Sequence, residues 1–358
     1  MMNRRSFLKD AAGAAGIAFT SCALLDSARA QQTGAGRRRE VTVGGRRVKT
    51  IDVHAHASIP EARALMGGTP TAQESMAALS TGDRLRAMDQ QGIDMEAISI
   101  NPFWYGAQRD VAARIIQLQN QKLAELCKSH PDRFVAYATV ALQYPDLAAQ
   151  QLEDGVKKLG LRGGSIGAIV NGEELSARKF DPFWAKAEEL GVLLFMHPAG
   201  TPDLQKRLQG NGLLTNVIGN PLDTTIALSH LIFDGTLDRF PRLKLCAAHG
   251  GGYLPSYADR SDHGCLTFPE ACKPFAPLKK KPTEYLRQLY FDSLVFTPEA
   301  LRHLVTQCGV SQIMIGTDFP YPWTATAVDH IMETPSLSAA EREAILGGNA
   351  AKLLRIAG

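Results

Sequence analysis

The stretch Val48-Lys49-Thr50-Ile51-Asp52-Val53-His54-Ala55-His56 decides how the rest of the chain is read. It is largely β-branched and apolar until it turns polar at its end, where two histidines stand one residue apart. In extended backbone, residues i and i+2 point to the same side, so His54 and His56 share one face at a strand terminus. Seven further short apolar runs follow: Met95–Ile100, Phe134–Val140, Gly163–Ile169, Val192–His197, Leu243–His249, Leu289–Asp292 and Ile313–Asp318. Amphipathic stretches lie between and after them, at Gln108–Ser129, Asp146–Leu159, Asp181–Leu190, Asp223–Asp238, Pro298–Gln307 and Ala339–Leu346. Pro182 and Pro298 fall where a first helical turn tolerates proline, and Gly160, Gly191 and Gly309 where a helix ends in a left-handed residue. Eight strands alternating with helices over about 300 residues predict an α/β chain folded as a (β/α)8 TIM barrel in a single domain. The rival, a doubly wound open sheet, lacks its fingerprint: no G-x-G-x-x-G follows the first strand.

The 358 residues are 45% hydrophobic and 21% charged, with a formal net charge of +3, which excludes intrinsic disorder. Within the first thirty residues, Arg4, Arg5, Lys9 and Arg29 outnumber Asp10 and Asp26. The remaining body is close to neutral, which argues against a nucleic-acid partner. No apolar run reaches the roughly 18 residues of a membrane span. The start reads as an export signal: the twin arginines of Asn3-Arg4-Arg5-Ser6-Phe7-Leu8-Lys9, an apolar stretch from Ala11 to Leu25, then Ala28-Arg29-Ala30 before Gln31. The paired arginines resemble a Tat signal, with cleavage expected after Ala30 and a periplasmic or secreted destination. The expected organisation is a signal over 1–30, a polar linker over 31–47 that includes Arg37-Arg38-Arg39, and a barrel over 48–358. Of the cysteines left after the signal, only Cys265 and Cys272 are close in sequence and could bridge in an oxidising compartment.

In such barrels the active site lies at the C-terminal ends of the strands. The fifth strand ends Phe195-Met196-His197-Pro198, the sixth Ala248-His249-Gly250-Gly251-Gly252 and the eighth Gly316-Thr317-Asp318-Phe319-Pro320. His130, His230, His263, His303 and His330 show no such placement. One strand-terminal histidine is commonly a packed or hydrogen-bonded residue. Four, with an aspartate, at four strand ends point to metal chemistry. Phe103, Trp104 and Tyr105 follow the second strand, where they could wall the mouth or simply pack. Asp292 ends the seventh strand, where it could orient a ligand histidine, and Asn171 is a rim candidate.

The ordered set of D-x-H-x-H at Asp52–His56, M-H-P at Met196–Pro198, the glycine run from His249 continuing to Arg260, and G-T-D-F-P-Y-P at Gly316–Pro322, supported by R-x-x-x-M-D-x-x-G at Arg84–Gly92, resembles the amidohydrolase superfamily. More narrowly, it is similar to the aminocarboxymuconate-semialdehyde decarboxylase branch, from about Ile51 to Leu354. The resemblance implies that His54, His56, His197 and Asp318 bind one divalent metal, zinc or else manganese, with a position left for water. It implies that His249 is the catalytic histidine beside that metal, with Asp318 taking part in catalysis. It further implies that Arg260 binds a substrate carboxylate by reaching the site of a neighbouring subunit, and hence a homodimer. The family's other substrate arginine lies in an insertion that is shorter here, where Arg63 is the only arginine in the gap.

The expected activity is nonoxidative decarboxylation of a small unsaturated or aromatic carboxylic acid, with metal-bound water and His249 handling the proton, Arg260 holding a carboxylate, and Phe103 and Trp104 against the substrate. A hydrolase of a lactone, amide or ester would use the same groups. A catalytically inactive periplasmic binding protein is the rival from another class.

Overall fold

The computed structural model describes residues 38–357 apart from 79, 201 and 274–276. The export signal and most of the expected linker lie outside the described residues. The eight barrel strands are β1 (Ile51–His56), β2 (Met95–Ser99), β3 (Phe134–Thr139), β4 (Gly163–Gly167), β5 (Leu193–His197), β6 (Lys244–Ala247), β7 (Tyr290–Asp292) and β8 (Ile313–Met314). Each pairs in parallel with its sequence neighbour, and each coincides with one of the runs read from the sequence. The ring closes where Val53 N–H donates to Ile315 O (3.0 Å) and Asp318 N–H to His54 O (2.8 Å).

Alternation along the strands builds two cores. Val53, Ala97, Tyr137, Phe195, Cys246 and Met314 form one buried cluster inside the barrel. The opposite phase, including Ile98, Ala138, Leu194, Leu245 and Ile315, packs under the helices. The helix Asn349–Leu354 places Leu353 and Leu354 in the inner cluster, against the N-terminal strand ends, and so closes the barrel from below.

Three expectations need correction. The linker does not extend to residue 47: Thr42–Val43 and Arg46–Arg47 form a hairpin, Val41 and Val43 are buried, and Arg39 pairs with Asp329 (Nη1–Oδ2 3.0 Å). Its glycines and arginines look like linker, but its valines are a core element. The helix expected over Asp223–Asp238 runs instead from Gly219 to Phe233, because Gly235 takes a left-handed φ of 74° and starts a separate turn at Thr236–Arg239. The C-terminal helix expected over Ala339–Leu346 ends at Glu343 and passes through a wide turn, Ala344–Gly348, into Asn349–Leu354. Gly160 and Gly191 do take left-handed backbone at helix ends, whereas Gly309 combines its positive φ with extended ψ.

Candidate metal centre and active site

Strict alternation from Val53, which faces the inner core, would turn His54 away from it. The register of β1 against β2 shifts between Asp52 and Ala55, and this irregularity frees His54 to pack its ring 4.9 Å from that of Phe195 in the inner core. Asp52 holds the bend: Oδ1 accepts from His54 N (2.9 Å) and Thr317 N (3.2 Å), tying β1 to the segment after β8. The strand end is also braced from outside, where the buried Arg84 donates to His56 O and to Glu96 Oε2 (2.7 Å).

The side chains converge as expected. His54 Nε2 lies 3.0 Å from His56 Nε2 and 3.1 Å from Asp318 Oδ1, and His56 Nε2 is 2.9 Å from the same oxygen. Donor atoms of His54, His197, His249 and Asp318 all lie within 4.8 Å of one another. Separations of about 3 Å between neighbouring donors are those expected from bonds of about 2.1 Å to one ion.

The hydrogen bonds on the far side of each ring separate ligands from the remaining histidine. His54 Nδ1–H donates to Asp292 Oδ2 (2.6 Å). Ser99 Oγ gives its own proton to Ala55 O (3.1 Å), so at 2.9 Å it accepts from His56 Nδ1–H. His197 Nδ1–H donates to Pro198 O (2.9 Å). In all three rings the Nε2 lone pair is therefore left facing the centre, the tautomer a metal ligand requires. His197 Nε2 is buried with no hydrogen-bond partner, as is Asp318 Oδ1. These orphaned acceptors fit a cation. His249 differs: its Nδ1 has no partner, its side chain is 16% exposed, and its Nε2 stands 3.5 Å from Asp318 Oδ2. It is a ring with nothing fixing its tautomer, at the edge of the cluster.

Electrostatics follow the same geometry. Burial works against a charged His54, but the carboxylates of Asp318 and Asp292 outweigh it and raise the ring to about 10. Burial depresses His56 to about 4 and holds His197 well below the imidazole range. Burial also opposes ionisation of Asp318, yet the surrounding imidazoles hold its carboxyl well below the usual carboxylate range. Without a cation the proton shared among His54, Asp292 and Asp318 occupies the place of positive charge, while His56 and His197 are held neutral as nitrogen donors.

Two strand-end residues adopt left-handed backbone, His249 at φ 56° and Asp318 at φ 60°. Such backbone is uncommon for residues with a Cβ and clusters at functional sites. Asp292 secures the first: besides His54 it accepts from His249 N (2.9 Å), Gly250 N (2.8 Å) and Leu294 N (3.1 Å). Gly250, Gly251 and Gly252 all have positive φ, and a Cβ on Gly252 would lie 2.1 Å from Pro221 O. Close backbone approach is what the glycine run provides.

Trp104 does not line the site. It is fully buried in the outer core, with Nε1–H donating to Val140 O (2.9 Å). Tyr105 is likewise structural, its hydroxyl accepting from Gly167 N (3.0 Å), and Asn171 Nδ2 holds Tyr105 O (2.6 Å). Phe103 does reach a small recess beside His56, under the Arg63 guanidinium 4.8 Å from its ring centre. Arg260 is exposed on the helix Leu254–Thr267 and does not line the cavity beside His249. That cavity, of about 340 Å³, is the larger opening at the cluster, and Phe296 and Trp323 stand in its wall. Neither was expected, and nor was Tyr321, whose ring lies 5.5 Å from that of His56. Tyr321 lies in the quoted Gly316–Pro322 motif, and Ser99 satisfies the same test of a polar residue at a strand end. Phe296 gives no such signal. Cys265 and Cys272 are joined in a disulfide, and Cys127, Cys246 and Cys308 are free.

Residues 51–356 match the amidohydrolase family profile. The 2-amino-3-carboxymuconate-6-semialdehyde decarboxylase of Dictyostelium discoideum is 32% identical over 274 residues, 76% of this chain and 75% of that protein. A gamma-resorcylate decarboxylase of Rhodococcus jostii is 30% identical over 294 residues, 76% of this chain and 87% of that one. Among solved structures, a dihydroxybenzoic acid decarboxylase from Polaromonas sp. with bound manganese and the inhibitor 2-nitroresorcinol superposes with a TM-score of 0.77 at 26% identity, covering 86% of this chain and 97% of that chain.

Proposed function

The chain belongs to the amidohydrolase family, and on that premise we propose that it is a metal-dependent nonoxidative decarboxylase, a carbon–carbon lyase acting on a small unsaturated or aromatic carboxylic acid. One observation carries this reading: three imidazoles have their far-side protons engaged and their lone pairs turned towards Asp318, while a fourth, His249, is left uncommitted at a cavity. The decarboxylase activities of the two relatives point the same way.

His54, His56, His197 and Asp318 would hold the ion, zinc by the chemistry of three nitrogens and one carboxylate, with manganese as the alternative. A bound divalent cation supplies Lewis acidity beside the substrate's carboxylate. The chain's own groups handle the proton. Decarboxylation needs one proton at the carbon bearing the carboxylate. The carbon–carbon bond then breaks, its electron pair returns to the unsaturated system, and carbon dioxide leaves. His249 is placed to carry that proton, since its Nε2 stands 3.5 Å from Asp318 Oδ2 beside the ligand cluster and the cavity gives its ring access to substrate and solvent.

The test is a product balance on metal-replete protein: one carbon dioxide released per acid consumed, with at least a 10²-fold loss on chelation and recovery on adding zinc or manganese. A product that keeps every carbon of its substrate would assign the site to hydrolysis instead.

Arg260 is assigned to a neighbouring subunit's substrate in a homodimer, a reading supported by its exposed position; a monomeric mass by light scattering would remove it. The start of the chain is assigned to Tat-type export with cleavage after Ala30, a reading supported by the Cys265–Cys272 disulfide, which suits an oxidising compartment. A mature exported protein beginning at Gln31 is the expected result of amino-terminal sequencing.

A further inference from the structure

His54 and His56 give their far-side protons to side chains, Asp292 and Ser99, whereas His197 gives its own to a backbone carbonyl, that of Pro198. A backbone acceptor holds a ring only as firmly as its own peptide plane is held. The other end of that plane is the N–H of Ala199, which donates to Asp223 Oδ2 (2.8 Å). In a planar trans peptide the carbonyl and the N–H point in opposite directions, so one rigid group carries both bonds. Gly200 N–H donates to the same oxygen (3.1 Å) and pins the turn at a second point. A buried carboxylate is thus joined through one peptide to an imidazole whose Nε2 is an orphan at the cluster. Asp223 sits on the helix Gly219–Phe233 and is 5% exposed. Burial raises its carboxyl to about 6, and the Ala199 and Gly200 N–H groups work against that rise. Burying a carboxylate is costly unless its hydrogen bonds offset the lost hydration, and here those bonds go to the turn that leaves β5. An ionised acceptor also polarises the peptide it binds, which makes the Pro198 carbonyl a stronger acceptor for His197.

We propose that Asp223 is a positioning residue for the metal ligand His197, acting through the Pro198–Ala199 peptide as Asp292 acts directly on His54. This rests on the reading of His54, His56, His197 and Asp318 as the ligands of one ion. Asp223 bonds to the turn and not to the ring, so its effect reaches the ion only through the direction and tautomer of His197. The same helix supplies a comparison. Thr225 serves the neighbouring strand end, with Oγ1 accepting from Tyr253 N (2.8 Å) and donating to Pro221 O (2.7 Å).

The experiment is chelator competition with cobalt(II) on the full protein, followed by the electronic spectrum of the bound cobalt. Asp223→Ala should weaken cobalt by about 10–100-fold and shift its ligand-field bands, because one imidazole is no longer held towards the ion. Asp223→Asn keeps an oxygen that accepts from both N–H groups but loses the charge. It should keep the parent's spectrum and bind cobalt about three- to tenfold more weakly, and it serves if the alanine variant fails to fold. Thr225→Val removes a bond of the same helix that does not lead to His197, and should stay within about threefold of the parent. Asp223 variants with the parent's affinity and spectrum overturn the proposal, even if urea unfolds them sooner. So does an equal loss in Thr225→Val, which would assign the effect to a displaced helix. A parent protein that takes up no cobalt, zinc or manganese removes the metal reading itself. A parent that takes up cobalt, with Asp223 variants that match it, keeps that reading and loses this one.

Discussion

Replacing His249 with alanine lowers the rate of carbon dioxide release by at least 10²-fold while the purified protein keeps its full metal content. The magnitude is that of removing a positioned proton carrier. The retained metal follows from the far-side hydrogen bonds: His54, His56 and His197 each have Nδ1–H engaged by a fixed acceptor, and His249 does not. His249 Nε2 is nevertheless close enough to the other donor atoms to be a fourth nitrogen ligand. Elemental analysis of the variant therefore separates the two roles. Loss of both activity and metal would make His249 a ligand and return the proton to another group. An unchanged rate would remove His249 from the proton step, whereas a parent protein that releases no carbon dioxide and binds its ligand equally with and without the His249 ring would be a binding protein.

The second large effect is expected at Asp292. Its carboxylate accepts from His54 Nδ1 and from three backbone N–H groups, those of His249, Gly250 and Leu294. Burial opposes its ionisation, but the bonds and charge of His54 outweigh that and hold its carboxyl below the ordinary range. Asp292→Ala leaves four donors unsatisfied at about 1–3 kcal/mol each, enough to remove much of the stability of an ordinary domain. Asp292→Asn keeps the shape but leaves one face without an acceptor, and should weaken metal binding by about 10–100-fold. Chelator competition measures the second effect and urea unfolding the first. An asparagine variant that binds metal as tightly as the parent would mean that His54 is oriented by packing against Phe195 alone.

The strands were legible because each is a short apolar run, and the polar residues ending five of them, His56, His197, His249, Asp292 and Asp318, mark the mouth. Local sequence carries both signals. It does not carry the register shift between Asp52 and Ala55, which depends on how β1 lies against β2. The expectation that His54 and His56 share a side holds in the structure, yet the reason is fuller than simple alternation. Trp104 was misread because an aromatic beside a strand end looks the same whether it faces a cavity or the helix layer. Only the bond to Val140 O distinguishes them. Phe296 and Trp323 were invisible for a related reason: they belong to different loops and become a pair only on folding. Val41 and Val43 were hidden by the glycines and arginines around them.

The helix that seals the barrel's underside has a practical corollary. Residue 357 lies near Lys49, whose ammonium donates to Ala357 O (2.8 Å), at the pole opposite the catalytic cluster. A surface tether attached at that end would hold the protein with its entrance facing the liquid. Trimming the chain back past Leu353 would instead unstopper the inner core and let water in from the wrong side.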